Sequence, residues 1–225
     1  MPVNNTPFLE RFEALCKHYK LEDYHNNITI NGLSESNMYY LGGFVLGEGS
    51  VNVSLKVQED ARFGFNISPQ FSVTQHVTGI INLLDLMFYF KCGRIAHKQG
   101  SANTFVFAIE NRKVLLEKVY PFYETYVFPF CGQTKKCKVL EFYKLVTMLE
   151  SKQHLSAMFM ATQILPLIIN LRSSKGGKIN TKYKSVDDAH DRMRNFVIKG
   201  LAKKGRPVGN SSFLELCSLY DSVYH

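Results

Sequence analysis

From Ser50 to Gln58 polar and apolar residues alternate without a break. Ser50, Asn52, Ser54, Lys56 and Gln58 fall on one side, and Val51, Val53, Leu55 and Val57 on the other. A period of two marks a strand with one face buried and one open, the signature of an antiparallel sheet. After a turn at Glu59–Arg62 the alternation returns. Asn66, Ser68, Gln70, Ser72 and Thr74 oppose Phe65, Ile67, Phe71 and Val73, and Pro69 marks a bulge or an edge. The pattern predicts a buried helix over Ile80–Phe90, a third strand near 93–98, a turn at Gly100 and a fourth strand over Thr104–Ile109. Ser34 or Ser36 caps a helix running from Glu35 to Gly47 that Gly49 ends. Asn111 caps another that reaches Tyr120, where Pro121 interrupts it. The order helix, two strands, helix, two strands, helix predicts an α+β layer: a four-stranded antiparallel sheet with helices on one face. Outside it, Phe8–Tyr19 has a short helical pattern, broken by Asn26, Asn27, Asn31 and Gly32. Lys135–Leu149, Leu155–Leu171 and Val186–Ile198 read as further helices, and residues 205–212 as loose.

The open face of the sheet is unusual for one that merely meets water. It carries amides, hydroxyls and lysine, the groups that read base edges, and a β-ribbon fits the major groove of DNA. A plain solvated face is the alternative. Charge points the same way. The net charge is +8, and residues 172–206 hold 11 basic and 3 acidic groups, which accounts for all of it. Such a segment is either a phosphate-contacting arm or a solvated tail. Other classes are disfavoured. The longest apolar stretches, such as Ile80–Phe90, fall short of the roughly 18 residues of a membrane span. The five cysteines lack zinc spacing, since no partner pair follows Cys131 and Cys137, and read as free thiols in a reducing compartment. The N-terminus has neither signal-peptide nor transit-peptide character, so the chain is made where it works or trimmed beforehand.

The segment Tyr39–Ser50, YYLGGFVLGEGS, breaks local rules. Two adjacent glycines inside a helix cost about 1 kcal/mol each relative to alanine. Gly43 and Gly47, four apart, make a smooth stripe on which two helices can approach closely. Glu48 falls at the helix C-terminus, where an anion opposes the macrodipole. That position is poor for stability and suited to holding a cation.

Leu41-Gly42-Gly43-Phe44-Val45-Leu46-Gly47-Glu48-Gly49 resembles the nine-residue signature of the LAGLIDADG homing endonucleases. Gly42 stands where alanine is usual, a change expected to be harmless for packing, and Leu46 where an acid is common. Phe71–Val77, Gly93–Lys98 and Tyr120–Glu124 resemble later landmarks of the family. The resemblance is nearest to single-motif members encoded in chloroplast ribosomal-RNA group I introns. It implies the αββαββα LAGLIDADG fold with helical extensions at both ends: an N-terminal extension over 1–34, the endonuclease domain over 35–171 and a basic C-terminal extension over 172–225. A single signature copy implies a homodimer, packed through Gly43 and Gly47.

The function so implied is a Mg²⁺-dependent, site-specific, staggered double-strand cut in a long pseudo-palindromic DNA site, in a ribosomal-RNA gene, promoting intron mobility. Glu48, with the carbonyl of Gly47, matches the metal ligand. Gln75 matches the residue that orients solvent around the nucleophile. A basic residue near the phosphate is also expected. One family position for it is Gly79 here and therefore vacant, leaving Lys98, Arg94 or Lys135, with Lys98 taken as the catalytic candidate. DNA reading falls to Asn52, Ser54, Lys56, Gln58, Ser68, Gln70, Ser72, Arg94 and Lys98. The alternatives are an intron maturase that binds RNA on the same fold and a DNA-binding module that has lost cleavage, the latter disfavoured by Glu48 and Gln75. An organelle is the implied location, the chloroplast ahead of the mitochondrion. Several features read more simply. His76 and His97 suit packing or DNA contact, Asp187, Asp188 and Asp191 suit helix capping, and Tyr120–Phe130 suits the core. Gly205-Arg206-Pro207 resembles a minor-groove hook but lacks repeats around it.

Overall fold

Both alternating segments are strands. The computed structural model describes residues 6–173, 185–206 and 208–225. Strand β1 is Gly49–Val57 and β2 is Phe65–His76. In the turn between them Gln58 N–H donates to the carbonyl of Gly64 at 3.1 Å. Gly64 there takes φ +73°, a conformation that favours glycine. β3 is Arg94–His97 and β4 is Thr104–Ile109, and the sheet order is β1-β2-β4-β3. β2 pairs antiparallel with β4 from Phe71↔Ile109 to His76↔Thr104, and β3 with β4 from Arg94↔Ala108 to His97↔Phe105. Pro69 lies outside the paired stretch of β2, so its missing N–H costs no bond to β4.

The helices begin and end largely where local chemistry says they should. α1 spans Thr6–His18, α3 Glu35–Glu48 and α4 Ile80–Phe90. The Ser34 hydroxyl caps α3 by accepting from Asn37 N–H at 3.2 Å. The asparagine-rich stretch read as a break is instead a helix, α2, Glu22–Asn31, ended by Gly32 at φ +70°. Tertiary contacts override its weak propensity. Ile28 is buried and the Tyr24 hydroxyl donates to Asp85 of α4 at 2.6 Å. Pro121 does not interrupt the helix that Asn111 caps. That helix (α5) continues over 112–130, with π-helical turns at Leu115–Val119 and Tyr123–Val127 on either side of the proline. The wider turns give the chain room for a residue that lacks an N–H and crowds the preceding carbonyl. α6 is Gln133–Glu150, α7 covers 157–173, α8 is Val186–Lys203 and α9 is Phe213–Tyr224.

Two compact units divide the chain. The first comprises Met1–Val51 and Gln70–Lys136. Its core is aromatic: Phe71 meets Phe90 and Tyr123 edge-on at 5.9 Å each, and Phe90 meets Phe122 at 5.4 Å. The second comprises Asn52–Pro69 and Cys137–His225. Here Phe63 packs on Tyr220 of α9 at 5.5 Å. Asp221 of α9 accepts from Ala157 N–H at 2.7 Å and Met158 N–H at 3.1 Å, capping the start of α7. Residues 174–184 of the basic segment and Pro207 of the suggested hook lie outside the described residues.

Candidate active site

Helix α3 presents two different faces. Met38, Leu41, Gly42 and Val45 are buried. A methyl group at Gly42 would overlap the carbonyl of Tyr126 and come within 2.8 Å of its Cβ, so this glycine is required by the chain's own packing. The expectation that glycine for alanine is harmless here understated the case. Gly43 and Gly47 face the other way, and a Cβ added at either would meet nothing within 4 Å. Tyr40, one turn earlier on that side, is 58% exposed. The smooth stripe inferred from the i, i+4 spacing is therefore open in the single chain.

The end of α3 explains how an acid is tolerated there. Gly49 N–H donates to the carbonyl of Val45, and a side chain at Gly49 would collide with that same residue. Glu48 is exposed. Lys135, at the start of α6, reaches back across 89 residues of sequence so that its Nζ donates to the carbonyl of Leu46. It also lies 3.5 Å from the carbonyl of Gly49. A cation at a helix C-terminus offsets the negative end of the dipole. Burial lowers the Lys135 pKa, while neighbouring Cys131 and Glu48 act in the opposite direction. Of Lys98, Arg94 and Lys135, it is Lys135 that hydrogen-bonds at the end of α3. Lys98 follows β3, its N–H donating to the carbonyl of Thr104 at 2.8 Å, two strands from Gln75 in the sheet order. Arg94 is engaged by Glu110 at 2.8 Å.

Gln75 closes β2, and the hairpin turn carries the β2 end back toward the β1 start that follows Glu48. Its Oε1 accepts from His76 N–H at 2.8 Å, leaving the side-chain NH₂ as donor. Gly79 gives this side chain its space: a Cβ there would stand 2.9 Å from the Gln75 amide. A basic side chain at position 79 would displace Gln75, a physical reason for the vacancy noted in the sequence. His76 caps the Val77–Gly79 turn through Nδ1, 3.3 Å from Thr78 N, and His97 packs on Phe105 at 4.3 Å. Asp188 completes a capping box with Ser185. Of the aromatic stretch Tyr120–Phe130, Phe122 and Tyr123 are buried whereas Phe130 is 64% exposed.

The suggested base readers fall on the open sheet face in each unit. Asn52, Ser54, Gln58, Ser68 and Gln70 are half-exposed and Lys56, Arg94 and Lys98 exposed, while Ser72, at 9%, is nearly covered. Glu110 was not singled out by sequence. The signal was present: Thr104, Val106, Ala108 and Glu110 share one parity, and that parity leads to the open face.

The donor set at the end of α3 suits a hard divalent cation, since it consists of carboxylate and carbonyl oxygens. Among the described residues no three or more His, Cys, Asp or Glu side chains cluster to hold a metal.

Comparison with known proteins decides the family. The LAGLIDADG endonuclease family model matches residues 41–146. The chain is 39% identical over 163 residues to DNA endonuclease I-CeuI of Chlamydomonas moewusii, covering 72% of this chain and 74% of that protein. The chain belongs to the LAGLIDADG family of homing endonucleases. It is thereby a DNA endonuclease. The structure of the group I intron-encoded homing endonuclease I-CeuI complexed with DNA superposes with a TM-score of 0.69 at 30% identity, over 86% of this chain and 96% of that one. The archaeal intron-encoded homing endonuclease I-Vdi141I complexed with DNA gives 0.64 at 27%, over 73% and 98%. In LAGLIDADG terms α3 is the signature helix, and Glu48 is the acid near its end.

Proposed function

We propose that this LAGLIDADG chain works as a homodimer that makes a Mg²⁺-dependent staggered double-strand cut at a long pseudo-palindromic site in a ribosomal-RNA gene. The cut would mobilise the intron that encodes it, in an organelle, the chloroplast. The observation that carries this reading is Glu48, an exposed anion at a helix C-terminus with Lys135 beside it. Packing does not call for an acid there, and phosphodiester hydrolysis does.

Glu48 and the Gly47 carbonyl would hold the metal, which when bound supplies an ionised water and polarises the phosphate. Gly43 and Gly47, bare on the open side of α3, let two signature helices come close enough for two Glu48 side chains to serve one duplex. Gln75, its Oε1 engaged by His76 N–H, offers its amide N–H groups to solvent around the nucleophile. Lys135 supports the role first assigned to Lys98. Its ammonium group is held by the carbonyls of Leu46 in α3 and Gly49 just past it, ready to stabilise charge that develops on the scissile phosphate. Lys98, with Asn52, Ser54, Lys56, Gln58, Ser68, Gln70, Ser72 and Arg94, is left to contact DNA. Ser72 contributes least because it is nearly covered.

The test is DNA carrying an uninterrupted ribosomal-RNA gene, incubated with Mg²⁺ or EDTA and with wild type, Glu48→Gln or Lys135→Met. Wild type with Mg²⁺ gives one discrete double-strand cut and Glu48→Gln none. Lys135→Met slows cutting by roughly 10²-fold or more, the effect of removing one preorganised charge-stabilising group. Cutting that survives in the Gln variant removes Glu48 from the site. Splicing help without cutting supports the maturase alternative.

A further inference from the structure

On the open face of the sheet one acid holds two of the suggested base readers. Glu110 directly follows β4, one step beyond the Phe71↔Ile109 pair, and so lies opposite Gln70 of β2. Its Oε1 accepts from Gln70 Nε2 at 2.6 Å and from Arg94 Nη2 at 2.8 Å, and its Oε2 accepts from Arg94 Nη1 at 3.1 Å. Arg94 and Glu110 side chains are 61% and 42% exposed. An exposed pair adds little to stability. A carboxylate on a surface that meets polyanionic DNA also weakens binding in general. Both considerations leave orientation as what the cluster gains.

The hydrogen-bond inventory says what is left for DNA. Arg94 gives Glu110 two of its five N–H groups and keeps a two-donor edge, the pattern that matches guanine O6 and N7. Gln70 gives one amide N–H and keeps the other beside its carbonyl, the pair that matches adenine N6 and N7. We propose that Glu110 is a positioning residue for base recognition, which fixes Arg94 and Gln70 on neighbouring strands so that together they read adjacent purines in the target. This rests on the reading of the sheet as the DNA-reading face.

The experiment selects preferred duplexes from a randomised DNA pool with full-length wild type, Glu110→Gln, Arg94→Lys and Gln70→Ala, and sequences what is bound. Thermal melts run alongside. Glu110→Gln is expected to lower discrimination by about 10-fold or more at one or two positions per half-site, at the same positions that Arg94→Lys and Gln70→Ala relax. It is also expected to tighten binding to unrelated DNA and to leave the melting temperature unchanged. A merely structural role would shift the melt and weaken every position alike, and that result overturns the proposal. So does an unchanged preference profile, or a wild type with no preferred sequence. A wild type that selects a sequence and fails to cut it sinks the endonuclease function while leaving Glu110's role standing.

Discussion

At Gly42 an added methyl would run into the backbone of Tyr126, whereas at Gly43 it would meet nothing within 4 Å. The two neighbours therefore respond in opposite ways to the same substitution. Gly42→Ala gains helix propensity but forces α3 away from α5, a net loss of about 1–3 kcal/mol of chain stability. Gly43→Ala, with no such obstacle in its own chain, stabilises the monomer by about 0.5–1 kcal/mol. It also thickens the stripe on which two helices would meet, so the proposed homodimer should dissociate at higher protein concentration. Denaturant melts in dilute solution and sedimentation across a concentration series measure the two effects. A Gly42→Ala protein as stable as wild type would exclude the Tyr126 backbone as the constraint on this position. The sequence made half of this legible. Spacing alone put Gly43 and Gly47 on one face, and dipole reasoning alone flagged Glu48. The constraint on Gly42 and the cation at Glu48 come from Tyr126 and Lys135, far along the chain, and no local pattern encodes such contacts.

Elements divide the same way. α4 and β4 have the limits that periodicity set, and α3 begins at its serine cap, because hydrophobic period and end chemistry are local. α9 could have been read too, since Ser212 and Glu215 form a capping box ahead of Phe213. α2 could not, because what holds it is Asp85, a carboxyl group only 8% exposed on α4. Burial raises the Asp85 pKa above the usual 3.8, and the hydrogen bond from Tyr24 offsets only part of that rise. The folded state thus binds this proton more tightly than the unfolded chain. Its contribution is fully present below the ordinary carboxylate pKa and is lost as pH rises through the raised value. Tyr24→Phe removes the bond that makes the ionised form tolerable. The variant should lose about 1–3 kcal/mol at pH 7, the cost of an unmet buried acceptor, and much less where Asp85 is protonated. Urea melts of wild type and variant from acid to neutral pH check this, and an equal loss at both ends would exclude a charged Asp85 as the cause.

For the molecule as a whole the governing quantity is a net charge of +8, all of it traceable to residues 172–206. The described part of that segment is mostly α8, on which Arg192, Lys199 and Lys203 line a groove with Asn195 and Phe196. Glu59 is the acid at the same groove. These cations recur on one side of the helix at spacings of seven and four, as a row following a phosphate backbone would require, whereas a solvated tail needs no such order. The two roles differ in what salt does to them. Each phosphate neutralised on B-DNA contributes about 0.9 to the slope of log K against log salt. Lys199→Ala with Lys203→Ala removes two charges per subunit, four in a homodimer, so the slope should fall by about 3.6. Base preference and the position of the cut should not move, because phosphate contacts carry register and affinity but no sequence. Titrating labelled target and unrelated duplex across a salt series separates the outcomes. A slope that stays as steep as wild type would mean that the row on α8 faces only water. A smaller slope with altered base preference would mean that α8 reaches base edges as well as phosphates.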